Sequence, residues 1–532
     1  MSAVVTDQFR ISNAGNFVGS VLDTNNSYYV FLGLSNPTTP NPGFGRTSDW
    51  NTSSSGPPNP IDNFSYEWQY GSTSLFGKRI NSTNIRRVVP KTQWQSNVAY
   101  DMYRQDYSIN NKAPVSDTAR LYDANYFVVN SDFNVYICIE NGSSGTNLTG
   151  NKSKDEPTFT DLEPSAAGTS GDGYIWKYLY SLSASDIVKF DSTEYIVVPN
   201  DWETSTNSQI QSVREAGDST VNLNQIKTVY IKNAGDGYQV GTFSCDILGD
   251  GTGGKVSITT VGGIITSAVV TAGGTGYSYG MVDLGPLQPT TGTPATDAEL
   301  IVIIPPSRGH GYDIYKELGA DRVLVYARFD DSTKDFPSDT KFAQVGIVKN
   351  PASYTSIGSI GSTFTSSEYS SLGAIKLDSS DTDSWSTTPT IGSKITQVVT
   401  DGTAKGYVAS YDKTTTVLKY YQDRSLYYNS TTGNQTDYVG VSSEAKVLSF
   451  QSSSNSIKFA GSSPADAAVS TAFTGRTLTS GSKQIDLGVY FTGGVAEPEI
   501  NKTSGDILYI DNREEIARNI RQKEDIKIIL EF

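Results

Sequence analysis

The chain has 532 residues, enough for about three or four folding units. Hydrophobic residues make up 36% and charged residues 18%, a balance typical of chains that bury a core. The net charge of −15 disfavours general nucleic-acid binding, and no apolar run reaches the about 18 residues of a membrane span. The first seven residues also lack the basic and apolar regions of a signal peptide. We therefore expect no nucleic-acid partner and no membrane insertion.

Two residue types that dominate catalytic and metal sites are scarce. Cys138 and Cys245 are the only cysteines, too few for a disulfide framework or a four-cysteine zinc site. His310 is the only histidine, and histidine is the commonest general base and metal ligand. Glycine (49 residues) and tyrosine (32 residues) are abundant, which favours short strands joined by tight turns.

The first part of the chain predicts short strands separated by polar loops. Buried-strand runs occupy 28–34, 86–90 and 194–199. Two further runs, 125–129 and 134–139, flank a turn and predict a β-hairpin.

Two long polar segments, 36–60 and 141–170, interrupt these strands. Long loops in compact domains are usually functional, so we expect these two to dock neighbouring molecules. After the second loop, Ser183 stands three residues before Asp186, a spacing that predicts a capped short helix running through Lys189.

An internal repeat comes next. Residues 229–238 align without gaps on 268–277, and each copy is an apolar strand followed by Gly-x-Gly-Tyr. Glycine permits positive φ in the turn, and we expect Tyr238 and Tyr277 to cover the core beyond it. A solenoid needs about three or more copies, so the two copies predict a small all-β domain over 225–305.

The following segments predict one short helix and further strands. The helix spans 312–318, and strands follow at 323–329 and 343–348. From Ser353 the chain is rich in serine and threonine, with three strands at about ten-residue spacing, the pattern of a small barrel or sandwich. We place this domain at 353–497.

The C-terminal region predicts two strands joined by a charged connector. The first covers 506–510. In the second, four apolar residues alternate with polar ones and mark a half-buried strand, with Lys527 and Glu531 on the opposite face. The apolar residues are Ile526, Ile528, Leu530 and Phe532.

One segment resembles a phosphate-binding loop. Residues 249–256 are rich in glycine and contain Lys255, but Val256 stands where the motif needs Ser or Thr to hold magnesium. The residues that follow alternate as a strand, whereas the motif needs a helix. We therefore predict a hairpin turn.

The remaining candidates for chemistry are isolated. His310 lies between two glycines near Arg308 and Asp313, without a nucleophile placed by any motif, so we predict a structural hydrogen-bonding role. Three aspartates, at 236, 246 and 250, lie near glycine turns. A calcium site needs about six to eight oxygens in a defined spacing, which this part of the sequence lacks. We expect no catalytic residue and no cofactor. We also expect no bound metal, including at Asp236, Asp246 and Asp250.

Several segments, taken in order, are similar to one family. Each is short, but their shared order and the matching C-terminal end carry the resemblance. They lie at 8–17, 28–33, 56–62, 88–103, 171–180, 194–199, 336–351 and 505–532. Together they resemble the baseplate wedge subunit of T4-like contractile-tailed bacteriophages, the gene-eight product family.

The resemblance implies a mainly β fold with minor α. A multi-domain α+β wedge-subunit core would consist of 1–205, 306–352 and 498–532. The segments 225–305 and 353–497 have no counterpart in the family and would be inserted all-β domains, of sandwich or small-barrel type.

The resemblance also implies a function. The protein would be a non-enzymatic virion component of the tail baseplate, assembled in the host cytoplasm. It would form a homodimer in each of six wedges, contact other wedge subunits and take part in the rearrangement that triggers sheath contraction. Such a switch requires interfaces whose contacts differ between two assembly states.

Two other readings remain open from the sequence. A β-rich tail adhesin or receptor-binding protein is the main alternative, because small β domains often bind glycans. A tail hydrolase that uses paired carboxylates is the other, but a sequence cannot place two carboxylates about 5–9 Å apart.

Overall fold

The computed structural model describes most of the chain. The described residues are 5–33, 74–217, 225–330, 342–356, 359–400, 402–422, 448–461, 463–480, 483–501, 504–516 and 522–532. The predicted docking loop 36–60 lies outside these ranges, as do the resemblance segment 56–62 and the start of the one at 336–351.

Apart from the first, which has 16 residues, the α-helices within these ranges are short. They are α1 (Asp7–Leu22), α2 (Ala184–Phe190), α3 (Ser208–Gly217), α4 (Ile314–Leu318) and α5 (Ser379–Thr382). Ser183 caps α2 by accepting a hydrogen bond from the backbone N–H of Asp186, which confirms the predicted cap. Over the described ranges, we find no helix with both the length and the apolar character that crossing a membrane requires.

The strands of the first half of the chain include all those predicted there. They are β1 (Tyr28–Gly33), β2 (Ser74–Ile80), β3 (Ile85–Pro90), β4 (Phe127–Val129), β5 (Asn134–Asn141), β6 (Ser165–Ala166), β7 (Tyr174–Ser181), β8 (Tyr195–Val198), β9 (Val229–Asn233), β10 (Gly241–Gly249), β11 (Thr252–Val261), β12 (Ile264–Thr275), β13 (Gly280–Val282) and β14 (Glu299–Val302). Strands β4 and β5 pair antiparallel, so the predicted hairpin is confirmed.

Strands continue through the second half. They are β15 (Arg322–Phe329), β16 (Phe342–Lys349), β17 (Ala352–Ser356), β18 (Ser359–Thr363), β19 (Glu368–Ser370), β20 (Gly373–Lys376), β21 (Lys394–Val399), β22 (Gly402–Asp412), β23 (Val417–Tyr421), β24 (Lys458–Phe459), β25 (Gly475–Ser480), β26 (Lys483–Phe491), β27 (Val495–Ala496), β28 (Asp506–Ile516) and β29 (Glu524–Glu531). Strand β28 extends through part of the segment that the sequence predicts as a charged connector.

The strands form several separate sheets. The larger ones have the orders β19-β2-β1-β16-β28, β12-β11-β10-β13, β29-β15-β3-β8, β4-β5-β7-β6 and β24-β21-β22-β23-β20-β27. The described two-stranded sheets are β14-β9, β17-β18 and β25-β26. The predicted mainly β fold with minor α, divided among several sheets, is confirmed.

Helix α1 is the main element that the sequence analysis misses. Its buried side chains, Ile11, Ala14, Val18 and Val21, recur at the three- and four-residue spacing of one helix face. The aromatic ring of Phe17 lies 5.5 Å from that of Phe532, between centroids. Polar residues separate these apolar positions. The segment therefore shows no continuous apolar run, and its helical period was overlooked.

The chain divides into two compact units. One consists of Met1–Val18, Arg86–Leu324 and Ile528–Phe532, and the other of Gly19–Ile85 and Val325–Lys527. The predicted insertion 225–305 lies within the first unit, and the predicted insertion 353–497 lies within the second.

The first unit contains a compact core made by the repeat region. Its buried members include Cys245, Val256, Ile258 and both repeat tyrosines, Tyr238 and Tyr277. In the repeat turns, Gly235, Gly237, Gly274 and Gly276 all have positive φ. The prediction that the turn tyrosines cover this core is confirmed.

The second unit contains the serine- and threonine-rich region. Strands β21, β22 and β23 form as predicted and belong to an open six-stranded sheet, while β25 and β26 form a separate hairpin. The core against this sheet includes Trp385, Leu418, Phe450 and Ile457. A second core in the same unit includes Tyr29, Phe31 and Tyr369.

Candidate functional site

His310 lies in a buried polar cluster. Its Nδ1 is 2.6 Å from Oε1 of Glu317, and the other oxygen of Glu317 accepts a hydrogen bond from the Gly311 backbone N–H at 2.6 Å. His310 is 4% exposed and Glu317 is fully buried. The ring of Tyr103 stands edge-on to the imidazole, with 4.8 Å between centroids. These contacts tie the turn at 310–311 to α4, as expected of a structural histidine.

The two charged residues that lie near His310 in the sequence, Arg308 and Asp313, make contacts with other residues. Asp313 caps α4 by accepting from the backbone N–H of Lys316, and the guanidinium of Arg308 stacks over the ring of Tyr312 at 3.8 Å. Sequence reasoning missed Glu317, the residue that does meet the histidine. The sequence did contain a signal that Glu317 is buried. Ile314 and Leu318 are apolar residues on one face of the same short helix, and Glu317 lies beside that face.

The glycine-rich segment 249–256 forms the turn between β10 and β11. The two strands pair antiparallel, with Asp246 opposite Lys255, and the Lys255 ammonium lies 2.7 Å from the Asp246 carboxylate. The prediction of a hairpin turn is confirmed. A phosphate loop presents its backbone amides at the start of a helix, whereas this lysine lies within a strand.

The three aspartates near glycine turns do not converge. Asp246 pairs with Lys255, while Asp250 accepts hydrogen bonds from Ser278, which lower the pKa of its carboxyl group. Asp236 exchanges backbone hydrogen bonds with Thr296. Within the described ranges, no group of three or more His, Cys, Asp or Glu side chains could hold a metal ion.

The loop 141–170 packs against the repeat region of its own chain. The Gly145 N–H donates to the Thr266 carbonyl at 3.3 Å, and the Tyr230 hydroxyl donates to the Leu148 carbonyl at 2.9 Å. A Cβ added at Gly145 would lie 1.9 Å from the carbonyl oxygen of Ile265, so only glycine fits there. Part of the predicted docking loop therefore makes an internal contact that the sequence did not indicate.

A buried lysine lies beneath this loop. Lys177 on β7 is 1% exposed, and its ammonium donates to the Leu162 carbonyl at 2.6 Å. Burial lowers the pKa of Lys177 to about 8, although the negative charge of Glu317 opposes the shift. The lysine thus connects the loop to the β4-β5-β7-β6 sheet at the cost of a desolvated charge.

Exposed apolar side chains mark the two ends of the β10–β11 hairpin. At one end, Leu248 and Met281 are strand partners and are 49% and 64% exposed. At the other end, Val240 and Val261 are more than half exposed. Exposed apolar groups rimmed by polar residues are typical of protein-contact surfaces.

Comparison with known proteins finds a distant similarity. The chain is 24% identical over 221 residues to "Baseplate wedge protein gp8" of Enterobacteria phage T4. The match covers 37% of this chain and 60% of the T4 protein, so the chain spans less than two thirds of that relative's length. No family model matches the chain. The relative belongs to the family that the sequence segments resemble.

Proposed function

We propose that this chain is a structural, non-enzymatic subunit of the baseplate wedge of a contractile phage tail. The observation that carries the proposal is the similarity over 221 residues to the T4 baseplate wedge protein. The mainly β construction supports it, because rigid sheets suit a load-bearing part of a tail. His310 is held by Glu317, which suits a structural role for this histidine.

The proposal has finer parts. The chain forms a homodimer, contacts the other wedge subunits and takes part in the baseplate rearrangement that triggers sheath contraction. It is assembled in the host cytoplasm and resides in the tail baseplate of the virion. The exposed apolar groups around Leu248 and Val240 are surfaces on which such contacts can form.

We also propose that 225–305 and 353–497 are inserted domains on a core made by 1–205, 306–352 and 498–532. The geometry of the segment ends supports this arrangement. Strands β9 and β14 pair antiparallel, with Val229 opposite Val302, so the first segment begins and ends at one place. In the second segment, β20 pairs antiparallel with β27, with Ala374 opposite Ala496, while β19, earlier in the same segment, pairs with β2 of the proposed core. An insertion that starts and ends in adjacent strands leaves its host domain unbroken.

A gene disruption tests the structural role. A phage in which the gene carries an early stop codon should yield heads and other tail parts in a non-suppressing host, but no complete baseplates. Expression of the chain from a plasmid should restore them. Normal, sheathed virions from the disrupted phage would contradict the proposal. Complete virions that fail only to adsorb would favour the adhesin alternative.

A further inference from the structure

The β25–β26 hairpin is a two-stranded sheet in the second compact unit. Its strands pair antiparallel, with Leu478 opposite Ile485. These two side chains are half-buried and pack against the core cluster that contains Leu487 and Phe491. A two-stranded hairpin alone is marginally stable in water, and independent stability needs three or more strands or packing against another element. The hairpin therefore gains stability from a strand that extends it.

The outer edge of β25 is open within the described ranges. There, β26 is the strand that pairs with β25, and no other segment forms a backbone hydrogen bond with residues 476–479. The side chains of Arg476, Thr477 and Thr479 are exposed, so the described part of the chain does not cover them. An uncovered strand edge is a template for another extended chain.

The ladder shows which backbone groups this edge presents. Two residues separate Ser480 from its strand partner Lys483, and the pair that closes a two-residue hairpin exchanges both backbone hydrogen bonds. Bonded and non-bonded pairs alternate along an antiparallel ladder, so Leu478 also bonds to β26. Thr477 and Thr479 therefore point their N–H and C=O groups away from β26.

Sheet edges in natural proteins are usually protected against pairing, most often by exposed charges, proline or bulges. Strand β29, at the edge of its own sheet, has exposed charged side chains at Asp525, Lys527 and Glu531. In contrast, residues 477–480 of β25 read Thr-Leu-Thr-Ser, without a charge or a proline. The register shift of the hairpin lies before this stretch. The edge is thus open and also suited to pairing, since threonine favours strands.

We propose that β25 pairs with β25 of a second copy of this chain, antiparallel and centred on Leu478. This register places Thr477 of one copy opposite Thr479 of the other, and Arg476 opposite Ser480. Cross-strand threonine pairs are favourable, and the one charged residue of the strand meets no like charge. The product is a four-stranded sheet, β26-β25-β25-β26, about a two-fold axis, the commonest symmetry of homo-oligomers.

The apolar face of the hairpin also fits a second copy. The two Leu478 side chains meet at a non-hydrogen-bonded position, where side chains of paired strands are closest. They extend the apolar face that packs against the core cluster. The inference rests on the homodimer part of the proposed function and names the strand through which the dimer forms. The strand lies within 353–497, so the resemblance to the wedge family does not imply this contact.

Disulfide trapping in the full chain tests the register. At the centre of the pairing, the Cα atoms of the two Leu478 residues would be about 4.5 Å apart, a separation that a disulfide bridges. Leu478→Cys should form a covalent dimer under mild oxidation at least tenfold faster than the matched control Ile485→Cys. The control lies at a half-buried position on the same face, but about 14 Å from its copy across three strand spacings. The native cysteines, Cys138 and Cys245, are buried.

Two further measurements do not depend on a new cysteine. Dimer formation at rising protein concentration should slow hydrogen exchange at the amides of Thr477 and Thr479, and leave the amide of Gln484, on the far edge of β26, unchanged. Thr479→Pro removes an outward N–H at an edge position that tolerates proline, and should weaken the dimer at least tenfold by sedimentation equilibrium. Thr479→Val keeps that N–H and should dimerise as the wild type does.

The outcomes separate this inference from the proposed function. A dimer in which Leu478→Cys cross-links no faster than Ile485→Cys would overturn the inference and leave the homodimer proposal standing. So would full dimerisation of Thr479→Pro, or slowed exchange confined to amides outside β25. A chain that stays monomeric at micromolar concentration would contradict both the inference and the homodimer proposal, whereas the gene disruption tests the baseplate role by itself.

Discussion

The two repeat tyrosines make different hydrogen bonds although they follow the same turn. The Tyr277 hydroxyl accepts from the Gly254 N–H at 3.1 Å and donates to the Ile247 carbonyl at 2.9 Å. The Tyr238 hydroxyl accepts from the Ala298 N–H at 2.8 Å. Tyr277 therefore connects the two strands of a hairpin, β10 and β11. Tyr238 connects its own turn to the segment before β14.

This difference predicts unequal costs of removing the hydroxyl groups. Tyr277→Phe leaves a buried N–H and a carbonyl without their partner and should destabilise the protein by about 1–3 kcal/mol. Tyr238→Phe removes a single bond and should cost about 1 kcal/mol. The control Tyr279→Phe, at a 64% exposed position, should be nearly neutral. Unfolding in urea measures all three, and equal values for Tyr277→Phe and Tyr279→Phe would contradict the assignment.

The buried ammonium of Lys177 predicts a pH dependence of stability. Burial lowers its pKa to about 8 in the folded chain, so above this pH the unfolded chain binds more protons than the folded one. Stability contributed through Lys177 should therefore rise between pH 8 and the ordinary lysine pKa of about 10.4.

A pair of variants isolates this effect. The free energy of unfolding of the wild type minus that of Lys177→Met should increase by about 1.4 kcal/mol per pH unit from pH 8 to pH 10. Lys112→Met, which removes an exposed lysine, is the control for the loss of a surface charge. Parallel wild-type and Lys177→Met curves would show that Lys177 is not desolvated.

At the scale of elements, the sequence predicts best where one periodicity dominates. Strand β1 is a continuous apolar run, β16 is apolar except for Gln344 and Lys349, and β29 alternates, so their existence and buried faces were predictable. The polar sequence of α1 hides its helical period, and β19 is only three residues long.

Tertiary partners were the least predictable part of the candidate site. The His310–Glu317 pair and the contact of loop 141–170 with β12 join residues whose meeting depends on the packing of separate elements. Local propensity carries no information on such contacts. The glycine turns were predictable, because positive φ selects glycine whatever lies nearby.

The adjacent ends of the second inserted segment predict that it can be removed. The predicted segment 353–497 includes β19, which pairs with β2, so the structure favours 373–496 as the part to delete. The Glu499 N–H donates to the Ser370 carbonyl at 3.0 Å, so a short Gly/Ser bridge spans the gap.

Deletion of 373–496 should leave a soluble chain that unfolds cooperatively, as followed by calorimetry. The matched control, deletion of 353–497, also removes β19 and should melt at a lower temperature. Loss of all cooperative unfolding in the smaller deletion would contradict the domain proposal.

The C-terminal strand β29 predicts a large effect of truncation. Ile528 is buried, Ile526, Leu530 and Phe532 are half-buried, and Lys527 is exposed, as the alternation predicted. Burying a side chain such as Ile528 contributes about 1.5–3 kcal/mol, and a domain has only about 5–15 kcal/mol of net stability.

Truncation after Glu524 should therefore lower the melting temperature strongly or unfold the core, with the signal of the 373–496 segment retained. Lys527→Ala should change little. Glu531→Ala should also change little, because the Glu531 side chain is 55% exposed in its ion pair with Arg322. A truncated chain with an unchanged melting profile would show that β29 does not close the core.

At the scale of the whole molecule, the described strands are divided among several separate sheets. In the proposed domain division, a core carries two segments that contain paired strands, β9 with β14 and β20 with β27. The second compact unit contains both the five-stranded sheet and the serine- and threonine-rich sheet. Such modules enlarge a subunit's contact surface without rebuilding its core, which suits a component that meets several neighbours.

The position of the chain in the virion tests the baseplate proposal most directly. Purified virions are labelled with gold-conjugated antibodies against the full chain and viewed by negative-stain electron microscopy. The account predicts label at the rim of the baseplate at the distal end of the tail. Label confined to distal fibres would identify an adhesin instead, and virions without label at the tail would contradict the proposed structural role.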